Sequence, residues 1–293
     1  MIAQLRRLAW SSWRPIAERA ARAYVAGPAL ADALQVCQTL ARHRIATTIC
    51  PWDADGDSPR QVVDSYLAAL TGLRSAALDC YLSVKAPSLA FSADLLDEVL
   101  VAARHGGIGI HFDSLGPEVA DRTWDLVREA VMRGASAGCT LPAGWQRSLS
   151  DAEAAVELGL RVRVVKGQWV DTTVTDAHIR DSFLSVVKRL AGRAAKVAVA
   201  THDPGLARSA LGCLRAAGTA CELELLYGLP ARAQMGVARA LAVPVRFYVP
   251  YGHAWLPYSL SQARRHPRLL WWTMRDWLLG WQPGTRRLPT ADP

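Results

Sequence analysis

Three cations fall within six residues of one apolar run. Residues 161–171 read Arg161, Val162, Arg163, Val164, Val165, Lys166, Gly167, Gln168, Trp169, Val170 and Asp171. A period of two puts Val162, Val164 and Lys166 on one face and Arg161, Arg163 and Val165 on the other. Strands apolar on both faces are typical of buried parallel sheets. A cation in such a strand needs an anionic or polar partner. Gly167 then allows a close backbone approach. Together these features describe the floor of a site for an anionic, aromatic ligand. The alternative is a strand whose arginine reaches solvent at a barrel rim.

Other apolar runs also end in groups able to do chemistry: Lys85, Asp113, Thr201, His202, Asp203, Glu224 and Tyr248. Taken singly, each has a structural reading. His202 could be a satisfied core histidine, Asp113 a helix cap, and Asp203, before Pro204, a turn residue. If the runs are strands of one barrel, these residues converge on one mouth.

The elements that must position them alternate. Strand-like runs occupy residues 45–50, 79–85, 108–113, 137–141, 161–166, 196–203, 220–226 and 244–249. Helical periodicity covers residues 28–43, 59–73, 91–105, 117–133, 150–158, 176–191, 205–217, 230–240 and 253–265. Ser92 is positioned to cap its helix, and Ser150 with Glu153 reads as a capping box. Strict alternation implies a parallel sheet, and eight units imply an α/β, (β/α)8 TIM-like barrel. An open doubly wound sheet is the competitor, and no G-x-G-x-x-G follows the first strand to support it. The expected organisation is N-terminal helices over residues 1–44, the barrel over 45–267, and a Trp-rich C-terminal helix and tail over 268–293.

The chain has 293 residues, 51% of them hydrophobic, enough for a large core. Net charge is +8, mostly from scattered arginines, so no nucleic-acid stripe is visible and attraction of small anions is favoured. The six cysteines show no zinc spacing, which fits a reducing, cytoplasmic setting and no metal. No run is long enough to span a membrane. Residues 1–26 are amphipathic and arginine-rich and read as a helix packed on the domain, although an organellar transit peptide has the same composition. Trp271, Trp272, Trp277 and Trp281 suit a covering helix; a peripheral membrane contact or a homo-oligomer interface would use them equally well.

Several segments, in order, resemble the proline dehydrogenase family. Residues 160–169 resemble its signature L-G-x-R-V-R-L-V-K-G-A-Y. Residues 81–85, 200–203, 222–228 and 246–252 match further motifs. The resemblance implies a (β/α)8 barrel that binds FAD and removes a hydride from carbon next to an amine nitrogen, with quinone or oxygen as electron acceptor. By position, Arg163 would sit against the flavin N5 edge, with Lys85 and Asp113 completing the catalytic set. Val165, Lys166, Gly167, Trp169, Thr201, His202, Asp203, Glu224 and Leu226 would line the cofactor. Tyr248, Tyr258, Ser261, Gln262 and Arg265 would line the substrate.

Three departures stand out. Pro142 replaces a glutamine that would donate to the flavin pyrimidine. Gln168 and Trp169 replace Ala-Tyr. Ser261 and Gln262 replace the arginine pair that clamps the proline carboxylate. A bidentate arginine–carboxylate contact is a strong anchor, so its loss points to a substrate other than free proline. The competing readings are a noncatalytic barrel kept for binding or assembly, and a methylenetetrahydrofolate-reductase-like flavoprotein.

Overall fold

Eight parallel strands close in sequence order into one barrel, β1-β2-β3-β4-β5-β6-β7-β8, with β8 pairing back on β1. This is the (β/α)8 architecture. The computed structural model describes residues 25–54, 56–167 and 176–252. The strands are β1 Ala46–Trp52, β2 Cys80–Val84, β3 Gly109–Phe112, β4 Ala137–Pro142, β5 Arg161–Val165, β6 Lys196–Ala200, β7 Cys221–Leu226 and β8 Val245–Gly252. Helix α1, Leu30–Arg42, precedes β1. The crossovers are α2 Pro59–Ala76, α3 Ala93–Gly106, α4 Ala120–Met132, α5 Ser148–Glu157, α6 Asp176–Leu190, α7 Pro204–Ala216 and α8 Arg232–Ala240. The helix expected over residues 253–265 and the Trp-rich tail lie outside the described residues, as do residues 1–24.

The two faces of the sheet bury different chemistry. Outward positions carry Ile49, Leu82, Val84, Ile110, Phe112, Val162, Val164, Val197, Val199, Leu223, Leu225 and Val249. All are buried beneath the helices and form the hydrophobic shell. Inward positions carry Thr48, Tyr81, His111, Thr140, Arg161, Arg163, Glu222, Glu224, Arg246 and Tyr248. The lumen is therefore polar, where barrels of this class usually stack branched aliphatics.

Small residues make room for these long side chains. A Cβ at Gly138 would lie 2.5 Å from His111 Nδ1 and 2.7 Å from the Arg161 carbonyl oxygen. One at Gly109 would lie 2.4 Å from the Tyr81 ring.

Local signals set three of the helix starts. Ser58 and Gln61 form a capping box ahead of α2, with Pro59 at its first position. Ser92 caps α3, accepting from Leu95 N at 3.3 Å, and Asp203 caps α7, accepting from Leu206 N at 2.9 Å. The Ser150–Glu153 capping box is not formed. The Ser148 hydroxyl donates to the Pro142 carbonyl at 2.6 Å, and Arg147 pairs with Asp151 at 2.9 Å, so α5 begins two residues earlier. Ser150 then lies inside the helix, donating to the Arg147 carbonyl at 2.7 Å, and Glu153 binds Arg189 and Arg193. The expected helix over residues 117–133 divides into a 3-10 turn, Pro117–Val119, and α4.

Helix α1 packs across β1 and β8, the two strands that close the barrel. The segment before it is pinned by Ala26 N–H donating to the Pro250 carbonyl and Gly252 N–H donating to that of Gly27.

Candidate active site

The C-terminal strand ends bring Arg163, Asp113, Tyr248, Glu224 and Thr140 into one cluster. From β5, Arg163 Nη2 donates to Asp113 Oδ1, just past β3. Its Nη1 donates to Glu224 Oε1 on β7 at 3.1 Å. Thr140 Oγ1 on β4 accepts from Nε at 3.1 Å and Nη2 at 2.8 Å. Tyr248 on β8 donates its hydroxyl to Asp113 Oδ2 at 2.7 Å, and its ring lies 4.9 Å from the Arg163 guanidinium carbon. Among the described residues, four of the five Arg163 N–H groups are thus engaged and one Nη1 N–H remains.

Burial fixes the protonation states. Burial opposes the charge on Arg163, but Asp113 and Glu224 more than compensate, and its pKa is raised. For Glu224 burial acts upward, yet Arg161, Arg163 and Arg246 hold it at about 2. Burial first, and then Asp113, push the Tyr248 phenol well above its ordinary value, so it remains a donor.

A second layer lies deeper in the lumen. Arg161 donates to Glu222 Oε1 at 2.6 Å and to Glu224 Oε2 at 2.5 Å. Arg246 donates to Glu222 at 2.9 Å, to the Thr47 carbonyl at 2.6 Å and to Asp79 at 3.0 Å. Both guanidiniums flank the Tyr81 ring, at 4.6 and 4.4 Å. His111 is held neutral by burial and by Arg163, Arg161 and Arg246. Its Nδ1 faces Arg161 Nη1 at 3.0 Å, which leaves Nε2–H for Thr140 Oγ1 at 3.0 Å. Arg161, Arg163 and Arg246 balance Asp113, Glu222 and Glu224, so the lumen is close to neutral.

Lys85 follows a separate pattern. Asp113 does not orient it, because that carboxylate is taken up by Arg163 and Tyr248. Instead Lys85 Nζ donates to the Pro51 carbonyl at 2.8 Å and to Asp53 Oδ1 at 3.2 Å. Burial would lower its pKa, but Cys50, Tyr66, Asp53 and Asp113 outweigh burial and raise it.

On the β5–β7 side, Lys166 is exposed and Val165 half-buried. Gly167 adopts φ +87°, and a Cβ there would meet Pro142 Cβ at 2.9 Å. Thr201 is buried and accepts from Asp203 N at 3.2 Å. His202 donates from Nδ1 to the Pro230 carbonyl at 3.2 Å and accepts from Leu226 N at 3.0 Å on Nε2. Both its nitrogens therefore join the β6 and β7 ends, and burial lowers its pKa to about 4. Asp203 is paired with Arg180 besides capping α7.

Arg161, Glu222, Arg246 and Asp53 were not among the site residues expected from the sequence, although period two already set Arg161 on the face of Arg163. Period two carried one step back from Glu224 would have found Glu222. The Asp53–Lys85 contact joins two loops and leaves no local signal. Trp169, Tyr258, Ser261, Gln262 and Arg265 lie outside the described residues.

No protein-family model matches this chain, and no curated protein matches it. Solved structures do. Proline utilization A from Bdellovibrio bacteriovorus, inactivated by N-propargylglycine, superposes with TM-score 0.74 at 17% identity, over 84% of this chain and 32% of that one. Proline utilization A from Corynebacterium freiburgense gives 0.69 at 18%, over 99% and 36%. A Bradyrhizobium japonicum proline utilization A mutant gives 0.65 at 17%, over 84% and 32%. The barrel fold is shared with these proline utilization A structures. At these identities the likeness concerns the fold alone, and the chain spans about a third of the length of these proteins. Among its described residues, no helix is long and apolar enough to cross a membrane.

Proposed function

We propose that this proline dehydrogenase-like barrel is an FAD-dependent oxidoreductase acting on a C–N bond of a small amine. The observation that carries the reading is the convergence of Arg163, Asp113 and Tyr248 at the mouth of a proline dehydrogenase-like barrel. Arg163 and Tyr248 stand within segments whose sequence resembles that family.

The donor set fits the cofactor. Arg163 keeps one N–H and a permanent charge near the strand ends. Lys166 offers an exposed ammonium suited to a phosphate, and Gly167 lets the chain pass close to Pro142. His202 can contribute only its ring edge, because both nitrogens are engaged. When bound, FAD supplies the acceptor for the hydride. Arg163 then offers positive charge to a site that becomes more negative on reduction. Asp113 and Thr140 hold that guanidinium in place, and Tyr248 forms one wall of the substrate space.

The protein as purified should be yellow or become so with added FAD, and Arg163→Ala should weaken flavin binding or slow flavin reduction. Protein that stays colourless after incubation with FAD would sink the reading. Free L-proline should be a poor substrate, because Ser261 and Gln262 stand at the positions of the family's clamping arginines. Removing one partner of such a buried charged pair typically costs about 2–5 kcal/mol. Rapid, complete bleaching of the flavin by millimolar proline without oxygen would show this to be wrong.

One observation favours a noncatalytic barrel instead: the lumen charges are mutually paired, as a purely structural network would be. The absorbance spectrum decides between the two readings.

A further inference from the structure

Lys85 lies on the β1–β2 side of the barrel, and its charge is cancelled within the protein. Its ammonium donates to Pro51 and Asp53 at the end of β1. Asp53 is in turn oriented by Ser88, whose hydroxyl donates to its second oxygen at 2.8 Å. Ser88 belongs to the 3-10 turn Pro87–Leu89 that directly follows β2. Both oxygens of Asp53 are thus engaged, and the pair is fixed by two neighbouring loops rather than by one flexible side chain. The Asp53 side chain is 30% exposed and that of Lys85 13%, so the pair borders the open mouth, whereas Glu224 is sealed in the lumen. Arg163, the neighbouring cation, is already balanced by Asp113 and Glu224. On this side of the mouth, the described residues hold no surplus positive charge for a ligand carboxylate. An incoming carboxylate would have to displace Asp53 from Lys85, while an ammonium would meet the accessible edge of Asp53.

We infer that Asp53 is a specificity-determining residue: by neutralising Lys85 it selects an amine that carries no carboxylate beside its nitrogen. The inference rests on the amine-oxidising reading above and narrows its substrate class.

Calorimetric titration of the full chain with pyrrolidine and with L-proline tests it, using the wild type, Asp53→Asn, Ser88→Ala and Asp53→Asn combined with Lys85→Met. The wild type should bind pyrrolidine about tenfold or more tightly than L-proline, the worth of one charge-assisted contact. Asp53→Asn frees the ammonium and should move the ratio toward proline by about the same factor, and adding Lys85→Met should abolish the gain. Ser88→Ala keeps both charges and loosens the pair, so it should move the ratio part of the way. It also carries the test if Asp53→Asn does not fold. An unchanged ratio, a gain that persists without Lys85, or no binding of either amine overturns the inference. The flavin spectrum separates the two claims. Yellow protein with an unmoved ratio removes only the role of Asp53, while colourless protein that binds neither amine removes the function as well.

Discussion

Arg163 shows how one side chain can serve the fold and a site together. Asp113 and Glu224 are buried around it at 8% and 2% exposure, where a carboxylate needs a partner. Arg163→Met leaves both without this partner and should cost about 3–5 kcal/mol of stability by urea unfolding, the usual penalty for breaking a buried pair. Combining it with Glu224→Gln should recover part of that loss, because the two positions interact directly. Tyr248→Phe removes a single neutral donor to the Asp113 carboxylate and should cost about 1.5–3 kcal/mol. If Tyr248→Phe instead proves as damaging as Arg163→Met, the two contacts do not rank as their charges require.

At the scale of elements, strand spacing and strand-end bonds carry the load. Gly138→Ala pushes a methyl against His111 Nδ1 and against the backbone oxygen of Arg161. Backbone cannot rotate away, so a loss of about 1–3 kcal/mol or more is expected in thermal unfolding. His202 joins the ends of β6 and β7 through Pro230 and Leu226. Its folded pKa is depressed to about 4 while the unfolded value lies near 6.5. The unfolded chain therefore takes up the proton first. The stability His202 contributes is complete above about pH 6.5 and is lost as pH falls from there through about 4. Unfolding midpoints across that window should fall for the wild type and should flatten in His202→Gln.

For the whole molecule, the lumen network sets acid tolerance. Glu224 has a folded pKa of about 2 against an unfolded value near 4.3. Its contribution is full above the higher value and is lost as pH falls through the lower. A second acid step, below the histidine window, should therefore appear in urea midpoints and should be absent from Glu224→Gln. Because these charges are buried within the barrel, added salt should change that step little; a strongly salt-dependent step would mean that surface pairs dominate instead.

Alternation of β-branched runs with amphipathic helices determined the barrel from the sequence alone, because each period reports which face is buried. Caps such as Ser92 were legible for the same local reason, while Ser150 and Glu153 were misread because Ser148 bonds to Pro142 outside the helix and Arg147 to Asp151 within it. Among the site residues, Glu224 was read as the polar end of an apolar run, and period two placed Arg163 on a strand face. It could not say that one face looks into a lumen where Arg161, Arg246 and Glu222 neutralise one another. Nor could it separate Asp113, held by Arg163 and Tyr248, from Asp53, held by Lys85 and Ser88. Those choices belong to barrel closure. Closure brings residues far apart in the chain within hydrogen-bonding distance, and burial then decides which charges must pair.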